Sequence, residues 1–371
     1  MKKLLLEDCC EILDSMRIPI TASERKSGSY PYYGANGIQD YVADYIFDDE
    51  LVLLAEDGGN FGSKTKPIAY RVSGKCWVNN HAHVLKPKKD FNVDYLCYSL
   101  MFYNTDGLIN GATRQKLTQA TMRQMLIPQR AYQEQCDIVA QMNKVNLIIK
   151  TRQNQLQKLD ELVKARFVEL FGDPISNPMN WNKRTLKEVC TKLNDGTHFS
   201  PESFSMGDYK YITAKNIKAS GFDFSNITYV PEAVHRPIFE RCNPEQGDVL
   251  YIKDGATTGI AIVNTLKEEF TLLSSVALLK QNRNVINGYF LAALLNNADM
   301  YSDIRNNMGG AAITRLTIAK LNAVKVIVPP LDLQNRFAAF VEQVDKSKVA
   351  VQKSLGEAQH LFDCLMQEYF S

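Results

Sequence analysis

The chain has 371 residues, of which 45% are hydrophobic and 23% are charged, and its formal net charge is +2. These proportions exclude a disordered chain, and the small net charge gives no overall basic field, although a local basic face would suffice for nucleic-acid binding. The eight cysteines form no CxxC pair, which argues against structural zinc and a disulfide framework. Because no stretch resembles a signal peptide or approaches the ~20 apolar residues of a membrane span, we expect a cytoplasmic protein without a membrane partner.

Residues 1–131 are predicted to form a mixed, mostly β domain. Short β-type runs, such as residues 51–55 and 83–85, alternate with Gly, Pro and Asn. Apolar residues recur at helical spacing over residues 93–103, which predicts one helix there.

A long helix is predicted over residues 132–172. Apolar residues follow spacings of four and three from Ile138 to Leu170, and Gly172-Asp173-Pro174 is a typical helix stop. At ~1.5 Å per residue, the helix would be about 60 Å long. Its narrow apolar seam is typical of a coiled coil, which needs a partner helix.

The same order then recurs along the chain. Residues 173–331 are predicted to form a second domain, with β-type runs at 210–213 and 248–252 and a helix at 289–296. Residues 332–371 are predicted to form a second long helix, whose seam includes Phe337, Phe362 and Tyr369.

Several segments of the second half repeat the first. Residues 186–194 echo 6–14, 249–255 echo 52–58, 276–280 echo 82–86, 310–317 echo 111–118, and 328–334 echo 127–133. A period this long indicates a duplicated domain. If the two long helices were parallel, a domain would have to span their full length to return the chain. An antiparallel pair is therefore favoured. We therefore predict an α+β fold: two similar, mixed, mostly β domains separated by two long helices that form an antiparallel coiled coil about a pseudo-twofold axis.

The familiar catalytic signatures are missing. The chain has no phosphate-binding GxxxxGK[ST] loop, no GxGxxG after a strand and no GxSxG elbow. His81 and His83 would share one face of a strand, but no further ligands complete a metal site. The acidic runs at 48–50 and 56–57 are interpreted as solvated turns and strand ends. A binding or scaffolding protein therefore fits better than an enzyme.

Polar, aromatic and basic residues near Gly-rich turns are candidate DNA contacts. Such side chains supply base-edge and phosphate contacts in DNA-reading proteins, although core tyrosines and solvated lysines are the ordinary alternative. The duplicated Gly-Ala loop, which ends in Lys116-Leu117 in one copy and Arg315-Leu316 in the other, is the strongest evidence among these clusters. Both copies keep a basic residue at the same place. The candidates are Tyr32, Tyr33, Asn36, Lys64, Lys66, Asn80, His81, Arg114 and Lys116 in the first domain, and Thr197, His198, Lys215, Asn216, Lys253, Thr257, Thr258 and Arg315 in the second.

The motifs together resemble one known family. Residues 30–42, 55–59 and 77–85 look like motifs of its first domain, residues 195–201 resemble a variant of the opening motif, and residues 328–334 resemble the junction into its long helices. Over nearly its whole length, the chain resembles the specificity subunit of type I restriction–modification systems.

The resemblance implies a DNA-recognition subunit with no catalytic site of its own. Each target-recognition domain would read one half of a bipartite double-stranded DNA target. The long helices would hold two methyltransferase subunits, and restriction/translocase subunits would be recruited. S-adenosylmethionine, ATP and Mg²⁺ would belong to those partners, so no cofactor or metal is expected in this chain.

Two other hypotheses stay open. A coiled-coil adaptor whose globular domains bind proteins is compatible with the charge balance, and retention on heparin or DNA would distinguish it. A hidden nuclease or methyltransferase is disfavoured by the missing motifs. Turnover by the purified chain with Mg²⁺ or S-adenosylmethionine would revive that third hypothesis.

Overall fold

The computed structural model describes residues 2–111, 115–306 and 316–371. The chain divides into two compact units. The first consists of Met1–Gln153 with Lys353–Ser371, and the second of Asn154–Gln352. Each unit therefore contains one globular domain together with parts of both long helices.

The first unit is built on a six-stranded sheet. In spatial order, its strands are Cys10–Ile12, Ala82–Pro87, Phe47–Ala55, Ala69–Val78, Ser27–Gly34 and Gly37–Val42. Neighbouring strands are antiparallel, except that Ser27–Gly34 and Ala69–Val78 run parallel. The other strands are Lys3–Leu5, Ile109–Asn110, Lys116–Leu117 and Leu126–Pro128, and the short helices are Leu6–Cys9, Asp14–Met16, Val93–Met101 and Gln119–Arg123.

The central strand of this sheet is buried on both faces. Successive side chains of a strand point to opposite faces, so the unbroken burial of residues 51–55 requires a cover on each side. Val52 packs in one core cluster with Leu96 of the helix Val93–Met101, whereas Leu53 packs in another with Val84. The helix predicted over residues 93–103 is thus confirmed and covers one face of the sheet.

The second unit contains the same kinds of element. A four-stranded antiparallel sheet has the order Cys190–Asp195, Val276–Gln281, Val249–Ile252 and Ala261–Val263. A three-stranded sheet has the order Thr228–Val230, Tyr209–Ile212 and Phe270–Leu272. Two ladders pair Asn182–Thr185 with Lys325–Val328 and Ile217–Lys218 with Gly221–Phe222, and the short helices are Leu186–Val189, Ala214–Asn216, Glu232–Arg241, Gly288–Leu295, Ala298–Asn306 and Ile318–Ala323. The predicted helix at 289–296 is Gly288–Leu295, and the predicted mixed α+β class is confirmed.

One residue is inserted within the repeated strand of the second unit. The strand Cys190–Asp195 contains a β-bulge near its start, and a bulge adds one residue to one side of a ladder. Beyond the bulge, Leu193 takes the place of Ile12. Leu193 pairs with Leu279, which also pairs with Val249. In the same way, Ile12 pairs with Leu85, which also pairs with Val52. Asp14 therefore corresponds to Asp195, and not to the residue before it as the ungapped echo of residues 6–14 suggests.

The two long helices span Tyr132–Phe171 and Leu331–Phe370. Gly172, with φ of 72°, follows the first helix, and its amide donates to the Val168 carbonyl at 2.8 Å. A glycine in this left-handed conformation is a common helix end, as the sequence predicts. Within residues 2–111, 115–306 and 316–371, no helix combines the length and apolarity that crossing a membrane requires.

Segments of the long helices pair inside the first unit. The Tyr369 hydroxyl donates to Gln141 Oε1 at 2.9 Å, and Arg152 Nε donates to Ser354 Oγ at 3.0 Å. Residue numbers rise along one helix as they fall along the other. The two segments are therefore antiparallel, as predicted.

The second unit shows the same direction of pairing. Lys348 Nζ lies 2.7 Å from Asp160 Oδ1, and the Phe167 and Phe337 ring centroids are 5.7 Å apart. An ion pair and an aromatic contact therefore join the two helices in this unit.

A buried glutamine fastens each long helix to its own domain. Gln135 Oε1 accepts from the Asn92 amide at 2.8 Å, and Gln334 Oε1 accepts from the Asn287 amide at 2.9 Å. Both glutamines are fully buried. The echo of 328–334 by 127–133 pairs Gln334 with Gln133, and this pairing is wrong because the contacts place Gln135 in the equivalent position.

Candidate nucleic-acid interface

Polar loops of the first domain meet around the backbone of Glu56. Its amide donates to the His81 carbonyl at 2.9 Å, and its carbonyl accepts from the Leu117 amide at 2.7 Å. Asn36 Nδ2 donates to the Gly58 carbonyl at 3.0 Å. Loops far apart in the chain are thus held in one cluster, which we call the first loop cluster: residues 33–37, 56–59, 79–81 and 115–117.

The first loop cluster presents a varied polar surface. Its exposed or partly exposed candidate residues are Tyr33, Asn36, Asn80, His81 and Lys116. Lys116 Nζ lies 3.0 Å from Glu56 Oε1, and His81 Nδ1 lies 2.6 Å from Asp57 Oδ1. Amide, imidazole and ammonium groups are suited to base edges and phosphates.

Glu56 lies below this surface among cations. Arg17 Nη1 donates to Glu56 Oε2 at 2.6 Å and to the Ala82 carbonyl at 2.7 Å. Burial opposes ionisation of Glu56, but the hydrogen bonds from Arg17 and Lys116 outweigh it and lower its pKa from the ordinary 4.5. The interpretation of residues 56–57 as a solvated turn is therefore wrong for Glu56, whose carboxylate is a partly buried centre of ion pairs.

His83 and Asp14 extend the network into the core. His83 Nδ1 lies 2.7 Å from Asp14 Oδ2, and His83 Nε2 lies 2.9 Å from the Leu117 carbonyl oxygen. Burial raises the pKa of Asp14, but the hydrogen bond and the charge of His83 help to bring it below its ordinary value. The network therefore ties the short helical turn Asp14–Met16 to the loop that carries Lys116.

Asp14, Glu56 and His83 bring three potential metal-ligating atoms within 4.8 Å of one another. Arg17 already supplies a cation there, because its guanidinium lies 2.6 Å from Glu56 and 3.6 Å from Asp14. The geometry is therefore that of an internal ion network.

The expectation that His81 and His83 share one strand face is wrong, since His81 precedes the strand that contains His83.

Equivalent backbone bonds organise the second domain. The Lys253 amide donates to the Ser275 carbonyl at 2.9 Å, and the Lys253 carbonyl accepts from the Leu316 amide at 2.9 Å. These bonds match those of Glu56. Lys253 therefore occupies the structural position of Glu56.

The segment that begins at Asp195 lies against Lys253. Lys253, only 2% exposed, places Nζ 3.3 Å from Asp195 Oδ2 and 3.0 Å from Asp254 Oδ2. The Thr197 amide donates to the Leu272 carbonyl at 2.8 Å, which joins this segment to the sheet. We call the assembly of residues 195–198, 253–255 and 272–275 the second loop cluster.

Both halves of the chain match one family model. Residues 1–160 and 178–358 match the type I restriction modification DNA specificity domain. The chain belongs to the type I restriction modification DNA specificity family.

Two members of this specificity family are similar to this chain along most of their length. A putative type I restriction enzyme specificity subunit of Haemophilus influenzae is 27% identical over 362 residues, covering 92% of this chain and 86% of that protein. The type I restriction enzyme MjaIX specificity subunit of Methanocaldococcus jannaschii is 20% identical over 324 residues, covering 81% of this chain and 74% of that protein.

Solved structures of specificity-family proteins share the fold. The S subunit of a type I restriction-modification system from M. genitalium aligns over 100% of this chain and 96% of its own, with a TM-score of 0.63 and 14% identity. A chain from a structure on complex assembly and conformational transition of the type I R-M system aligns over 100% and 97%, with a TM-score of 0.53 and 17% identity.

The candidate residues of this specificity-family chain lie at different depths. Those exposed to solvent are Asn36, Lys64, Lys66, Asn80, Lys116, His198, Lys215 and Thr257, and those partly exposed are Tyr33 and His81. The buried candidates are Tyr32, Thr197, Asn216, Lys253 and Thr258, whose side chains support the loops from inside. Arg114 and Arg315 lie outside the described residues. The DNA contacts of all these residues stay predictions.

Some candidates lie outside the two loop clusters or at their edges. Lys64 and Lys66 project from a loop whose Ser63 Oγ accepts from the Lys66 amide at 2.9 Å. Lys215 follows Ala214, whose amide donates to Ser275 Oγ at 3.2 Å beside the second loop cluster. Thr257 and Thr258 lie in the turn after Lys253.

Three important residues escaped the sequence analysis. Arg17 lies in no Gly-rich cluster, and 39 positions separate it from Glu56. Asp195 lies inside the recognised motif of residues 195–201, but its role as a buried partner of Lys253 was not predicted. Arg241, whose Nη2 donates to the Gly196 carbonyl, comes from a helix distant in the chain. Only the Asp195 motif offered a signal, because the other two pairings are non-local.

Proposed function

We propose that the two domains of this chain read the two halves of a bipartite double-stranded DNA target. The observation that carries the proposal is the shared backbone frame around Glu56 and Lys253, which holds polar loops in a cluster in each domain. One frame with different side chains suits two related readers with different half-sites, because side chains at base edges specify sequence.

In the first domain, Asn36, Asn80 and His81 are proposed to face base edges. Lys64, Lys66 and Lys116 are proposed to contact phosphates. Within the described part of the chain, Lys64 and Lys66 form no ion pair, and both are exposed, which supports this role. Phosphate contacts position a protein on the duplex and contribute most of its salt-dependent affinity.

In the second domain, His198 and Lys215 are the exposed ionisable candidates, and Thr257 adds a hydroxyl. Thr197 and Lys253 are proposed to support this surface from below, since both are buried. Among the candidate residues, this surface thus offers one exposed lysine, Lys215, whereas the first domain offers Lys64, Lys66 and Lys116.

The long helices are proposed to hold two methyltransferase subunits, with restriction/translocase subunits recruited to the complex. Large apolar side chains exposed on them, such as Leu147 at 66% and Val349 at 65%, support a role in protein contacts. We further propose that catalysis, S-adenosylmethionine, ATP and Mg²⁺ belong to these partners, and that the complex acts in the cytoplasm.

Modified-base sequencing of host DNA tests the proposal. With an active partner methyltransferase, the chain should direct adenine methylation to one motif made of two parts separated by a spacer. Deleting the gene should abolish that methylation. An unchanged methylation pattern, or a single continuous motif, would contradict the proposal.

A single substitution shows which half of the methylated motif the first domain reads. Asn36→Ala should relax base preference in one half of the motif only, by about tenfold for one base pair. Gln124→Ala is the matched control, because Gln124 is an exposed residue of the same unit outside the loop cluster. Equal behaviour of both variants would remove Asn36 from the set of base contacts.

A further inference from the structure

The segment 195–198 of the second loop cluster is fastened to a helix that lies far away in the chain. Arg241, the last residue of the helix Glu232–Arg241, donates from Nη2 to the Gly196 carbonyl. Arg241 Nη1 lies 3.6 Å from Asp195 Oδ1. One guanidinium thus contacts both a backbone carbonyl and a buried carboxylate of the second loop cluster.

Asn194 adds contacts between the same two parts of the chain. Its Nδ2 donates to the Arg241 carbonyl at 2.9 Å, and its Oδ1 accepts from Arg241 Nη1 at 3.4 Å. The backbone and the side chain of Arg241 therefore both bind the segment. Because a guanidinium is planar and carries its donors in a fixed fork, these contacts define direction as well as distance.

The helix Glu232–Arg241 is itself anchored to the sheet. The fully buried His235 places Nδ1 2.8 Å from Oγ1 of Thr271, which is also buried. The neighbouring residue of the same strand, Leu272, accepts through its carbonyl from the Thr197 amide at 2.8 Å. The helix and the fastened segment therefore rest on one strand.

Gly196 shows how closely the segment approaches that strand. A β-carbon at Gly196 would lie 1.9 Å from the Leu272 carbonyl oxygen, so no larger side chain has space there. The carbonyl of the same glycine accepts from Arg241. The sheet and Arg241 together therefore define the position of the segment.

The first domain fastens its equivalent aspartate in a different way. Arg17 Nη2 lies 3.6 Å from Asp14 Oδ2, and the two residues are three positions apart. Residues 43–46 alone separate the central strand of that domain from the strand before it, which is too short a stretch for a helix like Glu232–Arg241. The second domain therefore uses a distant arginine where the first uses a local one.

His198 is the exposed candidate residue that this arrangement presents. Its side chain is 58% exposed, and its Nε2 lies 3.1 Å from Asp195 Oδ1, the same oxygen that Arg241 approaches. Base edges are read by directional hydrogen bonds, which require the reading side chain to be held closely in place. The aim of His198 therefore depends on the segment that Arg241 binds.

We infer that Arg241 is a positioning residue for base recognition by the second domain. It holds the segment 195–198 so that His198 faces a base edge, and its own terminal nitrogens are engaged within the protein. This inference rests on the proposed function, because it takes DNA as the partner of the second loop cluster. Replacement of Arg241 should then act through His198 and not through the loss of a phosphate contact.

The test uses the full chain in complex with its methyltransferase partner, and duplexes that carry the methylated motif with single base-pair changes in either half. Arg241→Ala should relax base preference about tenfold in one half of the motif and leave the other half unchanged. The slope of log affinity against log salt concentration should stay unchanged, since no phosphate contact is lost. Arg236→Ala is the matched control, because Arg236 belongs to the same helix, is 47% exposed and pairs with Glu232 and Glu269.

A double-mutant cycle tests whether Arg241 acts through His198. In a His198→Ala background, Arg241→Ala should relax base preference little further, because the side chain that Arg241 positions is already absent. Hydrogen–deuterium exchange at residues 195–199 should be faster in Arg241→Ala than in the wild type or in Arg236→Ala.

Arg241→Lys repeats the test with the charge retained, and it serves if Arg241→Ala does not fold. Lysine keeps a cation near Asp195 but lacks the planar fork. Base preference in the same half of the motif should therefore still relax. Wild-type preference in this variant would contradict positioning through the fork.

Three results with Arg241→Ala would also overturn the inference. Base preference equal to that of Arg236→Ala would exclude a role in recognition, and a salt slope lowered by about one would indicate a direct phosphate contact. An effect that is undiminished in the His198→Ala background would show that Arg241 does not act through His198. If the wild-type complex recognises no bipartite motif, the proposed function itself fails, whereas a normal motif with any of these results rejects this inference alone.

Discussion

The two domains place opposite charges at the same structural position. Glu56 in the first and Lys253 in the second each donate and accept one equivalent backbone hydrogen bond. The carboxylate of Glu56 lies among cations, chiefly Arg17, whereas the ammonium of Lys253 lies between two carboxylates, one of them Asp195. The fold therefore specifies the backbone bonds at this point and leaves the sign of the charge open.

The difference shows how a recognition domain can vary. A charged group below the surface requires a partner, because an unpaired ion is costly to remove from water. Each domain meets this requirement with its own set of partners, and the loops above keep the same frame. Side chains on the frame can then differ, as two dissimilar half-sites require.

The largest loss of folding stability is expected when Lys253 is replaced. Lys253→Met removes the buried ammonium from between Asp195 and Asp254 and leaves Asp195 with the more distant Arg241 at 3.6 Å, so the second unit should lose about 3 kcal/mol. The chain has two tryptophans, Trp77 in the first unit and Trp181 in the second. Denaturant unfolding followed by Trp181 fluorescence in a Trp77→Phe background measures the change. Lys215→Met, at an exposed site, is the matched control, and a similar small loss in both variants would show that Lys253 is not an essential counter-ion.

A smaller loss of folding stability is expected when Glu56 is replaced. Glu56→Gln keeps one acceptor oxygen, replaces the other by an amide NH2 that only donates, and removes the charge shared by Arg17 and Lys116, so the first unit should lose about 1–3 kcal/mol. Trp77 fluorescence in a Trp181→Phe background reports this unit. Glu11→Gln is the exposed control, and a stable Glu56→Gln variant would mean that the cations do not depend on this carboxylate.

The stability difference at Glu56 should depend on pH. The folded state lowers the pKa of Glu56 below 4.5, so its charged form contributes stability above that pH and the contribution is lost as pH falls through the folded pKa. The gap in unfolding free energy between wild type and Glu56→Gln should therefore be full near neutral pH and shrink in acid. A gap of constant size from neutral to acid pH would contradict this assignment.

The smallest change in stability is expected at Lys116. Its side chain is 49% exposed, so loss of the ion pair with Glu56 should cost at most about 1 kcal/mol. If Lys116 contacts phosphate, Lys116→Ala should lower the salt slope of DNA binding by about one. Lys89→Ala is the exposed control, and equal slopes would remove Lys116 from the phosphate contacts.

The fold was largely accessible from the sequence. Forty-residue helices leave a long periodic signal, and duplicated motifs reveal the second domain. The candidate site was less accessible, since a motif shows which loop is polar but not which side chains face outward. Tyr32 and Lys253 were selected with the exposed residues, yet both are buried.

The sequence by itself determined the order of domains and helices, because periodicity and repeated motifs are local properties of the chain. Only the tertiary structure decided that Asp14 corresponds to Asp195, that Gln135 corresponds to Gln334, and that Glu56 meets Arg17. Each of these matches depends on a bulge or on contacts between residues distant in sequence. Burial then separated the side chains that support the loops from those that are free to meet a ligand.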